Sequence, residues 1–198
     1  MINFKNTPKK EPFIKLLDFY NLALKANQSS IEAVNISSYS PSSLEVDSRY
    51  VNLKEVRGEE FIFFTNYNSP KALQFKSHEQ VAATFLWSSI SVQIRIKAKI
   101  YKKSQEFNSK YFAQRSIEKN ALSISSNQSE LIDAYDSIKK KYNISLQNDD
   151  LKVCPEYWGG YAFKPYRFEF WKGREFRLNE RELFILRNGD WKKNILQP

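Results

Sequence analysis

The segment 158–182, WGGYAFKPYRFEFWKGREFRLNERE, constrains the fold more than any other part of the chain. Its side chains alternate with the period of two that is typical of β-strands, and a tight turn at 172–173 would join two such strands. On the second predicted strand Arg177 and Arg181 share a face, roughly 13 Å apart. That spacing is too long for one phosphate and suits a long anionic ligand or two neighbouring ligands. A surface hairpin with ordinary solvated arginines is the alternative.

Further alternating or apolar segments predict a sheet that includes this hairpin. The predicted strands are 33–36, 48–54, 60–65, 81–87 and 91–101. Arg-Gly at 57–58 would pair the second of these with the third, and Asn-Gly at 188–189 is a strong signal for a later hairpin. The pattern predicts an α+β protein, an antiparallel β-barrel with helices packed outside it.

Helical spacing of apolar residues and helix-start signals predict the peripheral helices. They fall at 12–27, 69–77, 104–114 and 128–141. Ser69 is the predicted N-cap of the second helix and Pro70 its first residue. Residues 1–11 are polar and predict a flexible N-terminal arm, and 12–198 predict a single domain.

Composition limits the classes of partner and of chemistry. The net charge of +9 and the pI of about 9.4 are compatible with anionic partners, but no nucleic-acid signature occurs, so no nucleic-acid partner is expected. No apolar run approaches the ~20 residues of a membrane span, and the N-terminus lacks the apolar region of a secretory signal, so we expect a cytoplasmic location without membrane contact. Lone His78 and Cys154 exclude a histidine-rich metal site, so no metal is expected. Any catalysis would use a bound organic cofactor.

Several short motifs, in this order and with these spacings, resemble the pyridoxamine 5′-phosphate oxidase family. They are SRYVNLK, FFTNYNSPK, FLWSSISVQIRI, KYFAQRS, SNQS, YWGGYAFKP, FEFWKGREFRLNER and a final QP, and they extend over about 12–198. The resemblance implies a split β-barrel that binds FMN. It also implies a homodimer with FMN at the interface, in which the second subunit supplies some contacts.

The resemblance assigns roles to individual residues. The implied cofactor contacts are Arg49, Tyr50, Val51, Leu53, Lys54, Phe64, Thr65, Ser69, Lys71, Gln93, Gln128, Ser129, Trp171 and Arg181. The implied substrate contacts are Lys54, Tyr111, Arg115, Lys119, Arg177 and Asn179, and the last two are the implied catalytic residues. Elementary chemistry supports part of this, because a helix N-terminus followed by Lys71 suits a phosphate dianion. If helical, 111–119 would place a phenol and two cations on one face.

The chain departs from the family pattern mainly where the substrate binds. Asn179 stands where the family has histidine, and it can donate a hydrogen bond but cannot carry an imidazolium proton. Lys119 stands in place of a serine, Pro70 and Val92 in place of arginines, and Ser116 in place of a proline. Lys119 would strengthen the binding of a substrate phosphate, or it is an ordinary lysine of a mobile loop.

The resemblance implies an FMN-dependent oxidase of phosphorylated B6 vitamers. Hydride would pass from the substrate C4′ carbon to flavin N5, with O2 as acceptor, giving pyridoxal 5′-phosphate and H2O2. Two alternatives stay open. One is a flavin oxidase of the phenazine-biosynthesis type, which Glu180 and the terminal Leu-Gln-Pro slightly favour. The other is a non-catalytic protein that binds flavin or pyridoxal phosphate through a drifted site.

Overall fold

A computed structural model describes all 198 residues. The elements are β1 (Asn3–Lys5), α1 (Glu11–Lys25), β2 (Ala33–Ser40), β3 (Glu45–Asn52), β4 (Glu55–Arg57), β5 (Glu60–Asn66), α2 (Pro70–Ser77), β6 (Gln80–Trp87), β7 (Val92–Lys102), α3 (Gln105–Ala113), α4 (Ile117–Ser125), α5 (Tyr135–Asn148), β8 (Trp158–Lys172), β9 (Glu180–Arg187) and β10 (Asp190–Leu196). The predicted α+β class, with helices around a mainly antiparallel sheet, is confirmed. None of the helices combines the length and apolarity that crossing a bilayer requires.

All ten strands belong to one sheet, and β8 is its central member. β8 pairs with β7 along its length. Its opposite edge pairs first with β5, over 158–163, and then with β9, over 167–172. Because one edge of β8 pairs with two different strands in succession, the sheet divides between residues 163 and 167. The only parallel pair is β1 with β4.

Aromatic side chains fill the interior of the barrel. Phe61 of β5 stacks on Phe163 of β8 at a centroid distance of 5.1 Å, and both are fully buried. Phe13 of α1 meets Phe168 edge-on at 5.3 Å, so the helix closes one side of the core. Large aromatic rings bury much apolar surface, and edge-on pairs add to that burial.

Two glycines let α3 approach the start of β8. Asn108 of α3 accepts a hydrogen bond from the backbone N of Gly160 at 2.9 Å and donates one to Tyr67 Oη at 2.9 Å. Tyr67 Oη donates in turn to the Gly160 carbonyl at 3.1 Å. A Cβ added at Gly159 would lie 2.2 Å from both the Asn108 amide nitrogen and Tyr67 Oη. This contact attaches α3 to the sheet.

We expect Gly159→Ala to destabilise the protein by about 2–3 kcal/mol, since a methyl group there overlaps two hydrogen-bonded groups. Urea unfolding followed by circular dichroism measures the change. Gly160→Ala is the matched control, because its Cβ would lie 3.2 Å from side-chain atoms of Lys103 and Phe64 and 3.5 Å from Asn108 Oδ1, without the overlap found at Gly159. Equal unfolding midpoints for wild type and Gly159→Ala would contradict the prediction.

The N-terminal residues are not a flexible arm in this structure. Residues 3–5 form β1, which pairs with β4, and Ile2 is buried. The Ile2 backbone N donates to Tyr20 Oη at 3.0 Å, which ties the segment to α1. The polar composition of 1–11 gave no indication that Ile2 is buried or that residues 3–5 pair with β4. The structure thus packs residues 2–5 against the domain, where the sequence predicts a flexible arm.

Two predicted hairpins also differ from the structure. β3 pairs with β2 rather than with β5, because the chain breaks at Leu53, whose side chain is fully buried in the core. The turn at Gly58 therefore joins β4 to β5. The turn predicted at 172–173 is instead a loop over 173–179 in which Phe176 and Arg177 have φ of 55° and 60°. The hairpin predicted at 188–189 is confirmed, and both its residues have positive φ.

Candidate functional site

A cavity of about 680 Å³ lies where the sheet meets α2, α3 and α4. Its lining is Tyr50, Val51, Asn52, Lys54, Phe64, Thr65, Lys71, Tyr111, Gln114, Arg115, Ser116, Lys119, Gln128 and Trp158. Most of these residues belong to the predicted cofactor and substrate sets. β3 and β5 supply one wall, and the α3–α4 region supplies the other.

The cavity carries a strong positive charge. Lys54, Lys71, Arg115 and Lys119 line it, and no Asp or Glu side chain does. Cations in a partly dry site without a carboxylate partner are stabilised by an anionic ligand. The arrangement can therefore bind phosphate groups.

Lys71 is the most buried of these cations. Its ammonium is 3.3 Å from Thr65 Oγ1 and 3.3 Å from Ser69 Oγ, both uncharged. Burial, together with the positive charge of Arg49, lowers the pKa of Lys71 to about 8. Ser69 precedes α2 as predicted, but its hydroxyl does not cap the helix; it donates to the Asn66 carbonyl at 2.7 Å. A buried ammonium held only by neutral groups fits a phosphate dianion.

Gln128 reaches the cavity from a loop rather than from a helix. Its Oε1 accepts from Thr65 Oγ1 at 2.9 Å and from the Asn66 backbone N at 3.2 Å. The helix predicted over 128–141 begins only at Tyr135, because Ser129 has a left-handed φ of 71° and Gln128 is held by β5. The side-chain amide of Gln128 stays free to donate into the cavity.

Tyr111 and Arg115 lie against an aromatic stack. The Tyr111 ring stacks on Phe64 at 3.7 Å, and Phe64 lies parallel to Trp158 at 5.2 Å. The Arg115 guanidinium lies 4.4 Å from the Trp158 ring centroid. The helix predicted over 104–114 is α3, and 111–119 do not form one continuous helix, since α3 ends at Ala113 and α4 starts at Ile117. The break still leaves all three predicted phosphate-binding side chains in the cavity lining.

Sequence reasoning assigned no role to four of the lining residues. They are Asn52, Gln114, Ser116 and Trp158. Period-two alternation would have placed Asn52 on the same strand face as Tyr50. No comparable local signal identifies Gln114, because it lies at the end of a helix whose direction depends on tertiary packing.

A second group of predicted residues forms a row across three strands. Gln93 of β7 is opposite Trp171 of β8, which is opposite Arg181 of β9. Arg181 donates to Glu169 Oε1 at 2.7 Å and to the Gln197 carbonyl at 2.9 Å. None of these residues lines the cavity of its own chain.

The predicted catalytic residues lie in the exposed loop 173–179. Arg177 is exposed, and Asn179 Oδ1 accepts from the Arg174 backbone N at 3.1 Å. Because Arg177 precedes β9 and has a left-handed backbone, it does not share a strand face with Arg181. This corrects the geometry expected from the alternating pattern.

Leu53 and Arg49, two predicted cofactor contacts, have partners within the protein. The Leu53 side chain is fully buried in the core. Arg49 pairs with Asp47 and donates to Ser38 Oγ at 2.6 Å and Gln74 Oε1 at 3.0 Å. Neither side chain lines the cavity, although the charge of Arg49 acts on neighbouring Lys71.

Comparison with solved structures identifies the class of fold. PhzG from Burkholderia lata, solved in complex with tetrahydrophenazine-1-carboxylic acid, matches with a TM-score of 0.89 at 23% identity, over 96% of this chain and 94% of that one. A pyridoxamine 5′-phosphate oxidase-related, FMN binding protein from Nostoc punctiforme matches with a TM-score of 0.77 at 13% identity, over 91% and 96%. The fold is the split β-barrel that the sequence predicts.

Sequence comparison identifies the family. The pyridoxine/pyridoxamine 5′-phosphate oxidase of Actinobacillus pleuropneumoniae is 35% identical over 84% of each chain. That of Haemophilus influenzae is 34% identical over 96% of this chain and 90% of its own. Residues 158–198 match the model of the pyridoxine 5′-phosphate oxidase C-terminal dimerisation region. The chain belongs to the pyridoxine/pyridoxamine 5′-phosphate oxidase family.

Proposed function

We propose that this protein is an FMN-dependent oxidase that converts pyridoxamine or pyridoxine 5′-phosphate to pyridoxal 5′-phosphate. The observation that carries the proposal is the division of cations in one cavity. Lys71 lies on the α2 side, while Lys54, Arg115 and Lys119 lie near α3 and α4, and no Asp or Glu lines the cavity with them. Two groups of cations suit two phosphate monoesters, one on the cofactor and one on the substrate.

The residues around Lys71 fit the FMN phosphate. Thr65 and Ser69 orient its ammonium, and Gln128 presents an amide beside them. Lys71, Thr65, Ser69 and Gln128 would hold the phosphate group, and FMN bound there would supply the acceptor for the hydride of the substrate C4′ carbon, with O2 as the final acceptor that gives H2O2. The chain itself supplies binding and orientation, and it shields the reacting carbon from water.

The residues around Arg115 fit the substrate phosphate. Arg115 offers a planar set of N–H donors, and Tyr111 adds a hydroxyl. Burial, with the positive charges of Lys119 and Arg115, lowers the pKa of Lys54. A phosphate dianion between these groups relieves the repulsion among them.

We infer that the working protein is a homodimer with FMN at its interface. Gln93, Trp171 and Arg181 do not line the cavity of their own chain, and all but Gln93 belong to the dimerisation-region match. A second copy would bring that row towards the flavin and place Arg177 over the pyridine ring of the substrate. Asn179 would donate a hydrogen bond where the family pattern has histidine.

One set of measurements tests the proposal. The purified protein is expected to bind FMN, which its visible spectrum reports, and to release H2O2 with pyridoxamine or pyridoxine 5′-phosphate. Light scattering reports the dimer. A protein that takes up no FMN defeats the proposal, and so does a flavin-loaded protein that oxidises neither vitamer.

A phenazine-type oxidase is the second candidate. The PhzG structure shares the fold, and it was solved with tetrahydrophenazine-1-carboxylic acid, a tricyclic acid without a phosphate. Such an acid would leave the cations around Arg115 without a phosphate partner, which favours the B6 vitamer. Oxidation of a dihydrophenazine carboxylic acid with no turnover of B6 vitamers would reverse this preference.

Lys119→Ala tests the departure at the substrate site. Removing one of the three cations should raise the Michaelis constant for pyridoxine 5′-phosphate by about five- to tenfold, with little change in kcat. Steady-state peroxide release measures both constants. Lys110→Ala on exposed α3 is the control, since Lys110 pairs with Glu106 outside the cavity. An unchanged Michaelis constant in Lys119→Ala would show that Lys119 does not bind the substrate phosphate.

A further inference from the structure

The Arg115 guanidinium is fixed in the cavity without any carboxylate. Its Nη1 donates to Ser123 Oγ at 3.1 Å, and its Nη2 makes a longer contact with the Lys119 carbonyl at 3.4 Å. Its face lies over the Trp158 ring, 4.4 Å from the centroid. Neutral groups therefore hold the cation on two sides and leave its charge for a ligand.

Ser123 can serve Arg115 only as an acceptor. The Ser123 hydroxyl donates its single proton to the Lys119 carbonyl at 2.8 Å, within the first turns of α4. Its lone pairs are then directed to the guanidinium. Ser123 also lines a contiguous cavity of about 470 Å³ that shares Arg115 and Trp158 with the first. The contact thus lies at the edge of the anion site and not on a remote surface.

Trp158 gives Arg115 a rigid support. The indole is 5% exposed and is held between Phe64, parallel at 5.2 Å, and Phe112, edge-on at 5.0 Å. A cation over an indole face is attracted by the ring electrons, more strongly than over a phenyl ring. Because the ring cannot move, the guanidinium above it has little freedom.

We propose that Ser123 and Trp158 are positioning residues that orient Arg115 for the phosphate of the substrate. The inference rests on the proposed function and adds to it the means by which the phosphate site is preorganised. A free arginine side chain loses much rotamer freedom when it binds an anion. Here folding imposes that restriction before the ligand arrives, so binding is tighter.

Ser123→Ala tests the first contact. We expect the affinity for inorganic phosphate and for pyridoxal 5′-phosphate, measured by calorimetric titration of the FMN-loaded protein, to fall about five- to tenfold. The Michaelis constant for pyridoxine 5′-phosphate should rise by the same factor at constant kcat. Ser123→Thr keeps the hydroxyl and should restore binding. Ser125→Ala is the matched control, because Ser125 Oγ is buried in the same helix without a partner.

A double-mutant cycle separates positioning from a general structural effect. In an Arg115→Gln background, Ser123→Ala should no longer weaken phosphate binding, because the group that it orients is gone. Trp158→Phe should weaken binding about two- to threefold, in line with the weaker attraction of a phenyl ring. An unchanged phosphate affinity in Ser123→Ala, or an equal loss in the Arg115→Gln background, overturns the inference.

The titrations also distinguish this inference from the proposed function. A wild-type protein that binds phosphate through Arg115 but oxidises no B6 vitamer would refute the oxidase and leave the positioning role standing. A wild-type protein that binds neither phosphate nor pyridoxal 5′-phosphate would overturn the positioning role as well.

Discussion

Lys71→Met will weaken FMN binding by about 30- to 100-fold, because it removes the buried ammonium that we propose binds the phosphate group of the cofactor. Lys71 is hydrogen-bonded only to neutral groups, and the nearby cation Arg49 does not line the cavity, so no lining cation replaces Lys71 at that point. Fluorescence titration of the apoprotein with FMN measures the affinity. Lys76→Met, on the exposed side of the same helix, is the control.

The affinity of the wild type should depend on pH in a way that Lys71 explains. In the free protein the pKa of Lys71 is about 8, so the ammonium loses its proton as the pH rises through that value. FMN binding should then weaken by up to tenfold for each further pH unit. Lys71→Arg keeps its charge and should lose this dependence. Equal pH profiles for wild type and Lys71→Arg would contradict the assignment.

The same group links pH to the stability of the free protein. Between about pH 8 and the ordinary lysine value of 10.5, the folded state has released a proton that the unfolded state still holds. The contribution of Lys71 to the free energy of unfolding therefore rises with pH across this window and is smallest below it. Lys71→Met should accordingly raise the melting temperature of the apoprotein at pH 7 while it weakens FMN binding.

Arg115→Gln should raise the Michaelis constant for pyridoxine 5′-phosphate by about 30- to 100-fold, since a planar cation is lost from the phosphate site. Its effect on unphosphorylated pyridoxine should be small. The ratio of the two kcat/KM values measures how much of the specificity lies in the phosphate. Lys110→Gln on α3 controls for the change in net charge, because Lys110 is exposed and paired with Glu106. An equal loss of kcat/KM for both substrates would indicate that the substitution disrupts folding and not phosphate binding.

Patterns of neighbouring residues predicted most helices, strands and turns well. The pairing of strands that are distant in sequence was predicted less well. The Asn188-Gly189 turn was predictable because two residues determine it. The partner of β3 was not, because pairing with β2 depends on the burial of Leu53. The helix predicted from 128 fails for a similar reason. Leu131 fits the helical spacing but is fully exposed, so no core favours a helix there.

For the site as well, the sequence identified several residues that line the cavity but not their contacts or positions. Motif resemblance supplied Lys54, Tyr111 and Arg115, and the structure brings all three into one cavity. It could not supply Ser123, whose contact depends on the break between α3 and α4. Nor could alternation give the position of Arg177, because two consecutive left-handed residues move it out of the strand.

The central place of β8 has a consequence for how the chain acquires its structure during synthesis. Tyr67 and Gly160, which are hydrogen-bonded, are 93 residues apart in sequence. β5 and β7 thus leave the ribosome long before the strand that joins them. Each has an unpaired edge meanwhile, and β5 also exposes Phe61 and Phe63, which are buried in the folded protein. Pairings this distant close slowly. The nascent chain should therefore depend on chaperones until β8 emerges, and the cavity, which Trp158 lines, can form only after that.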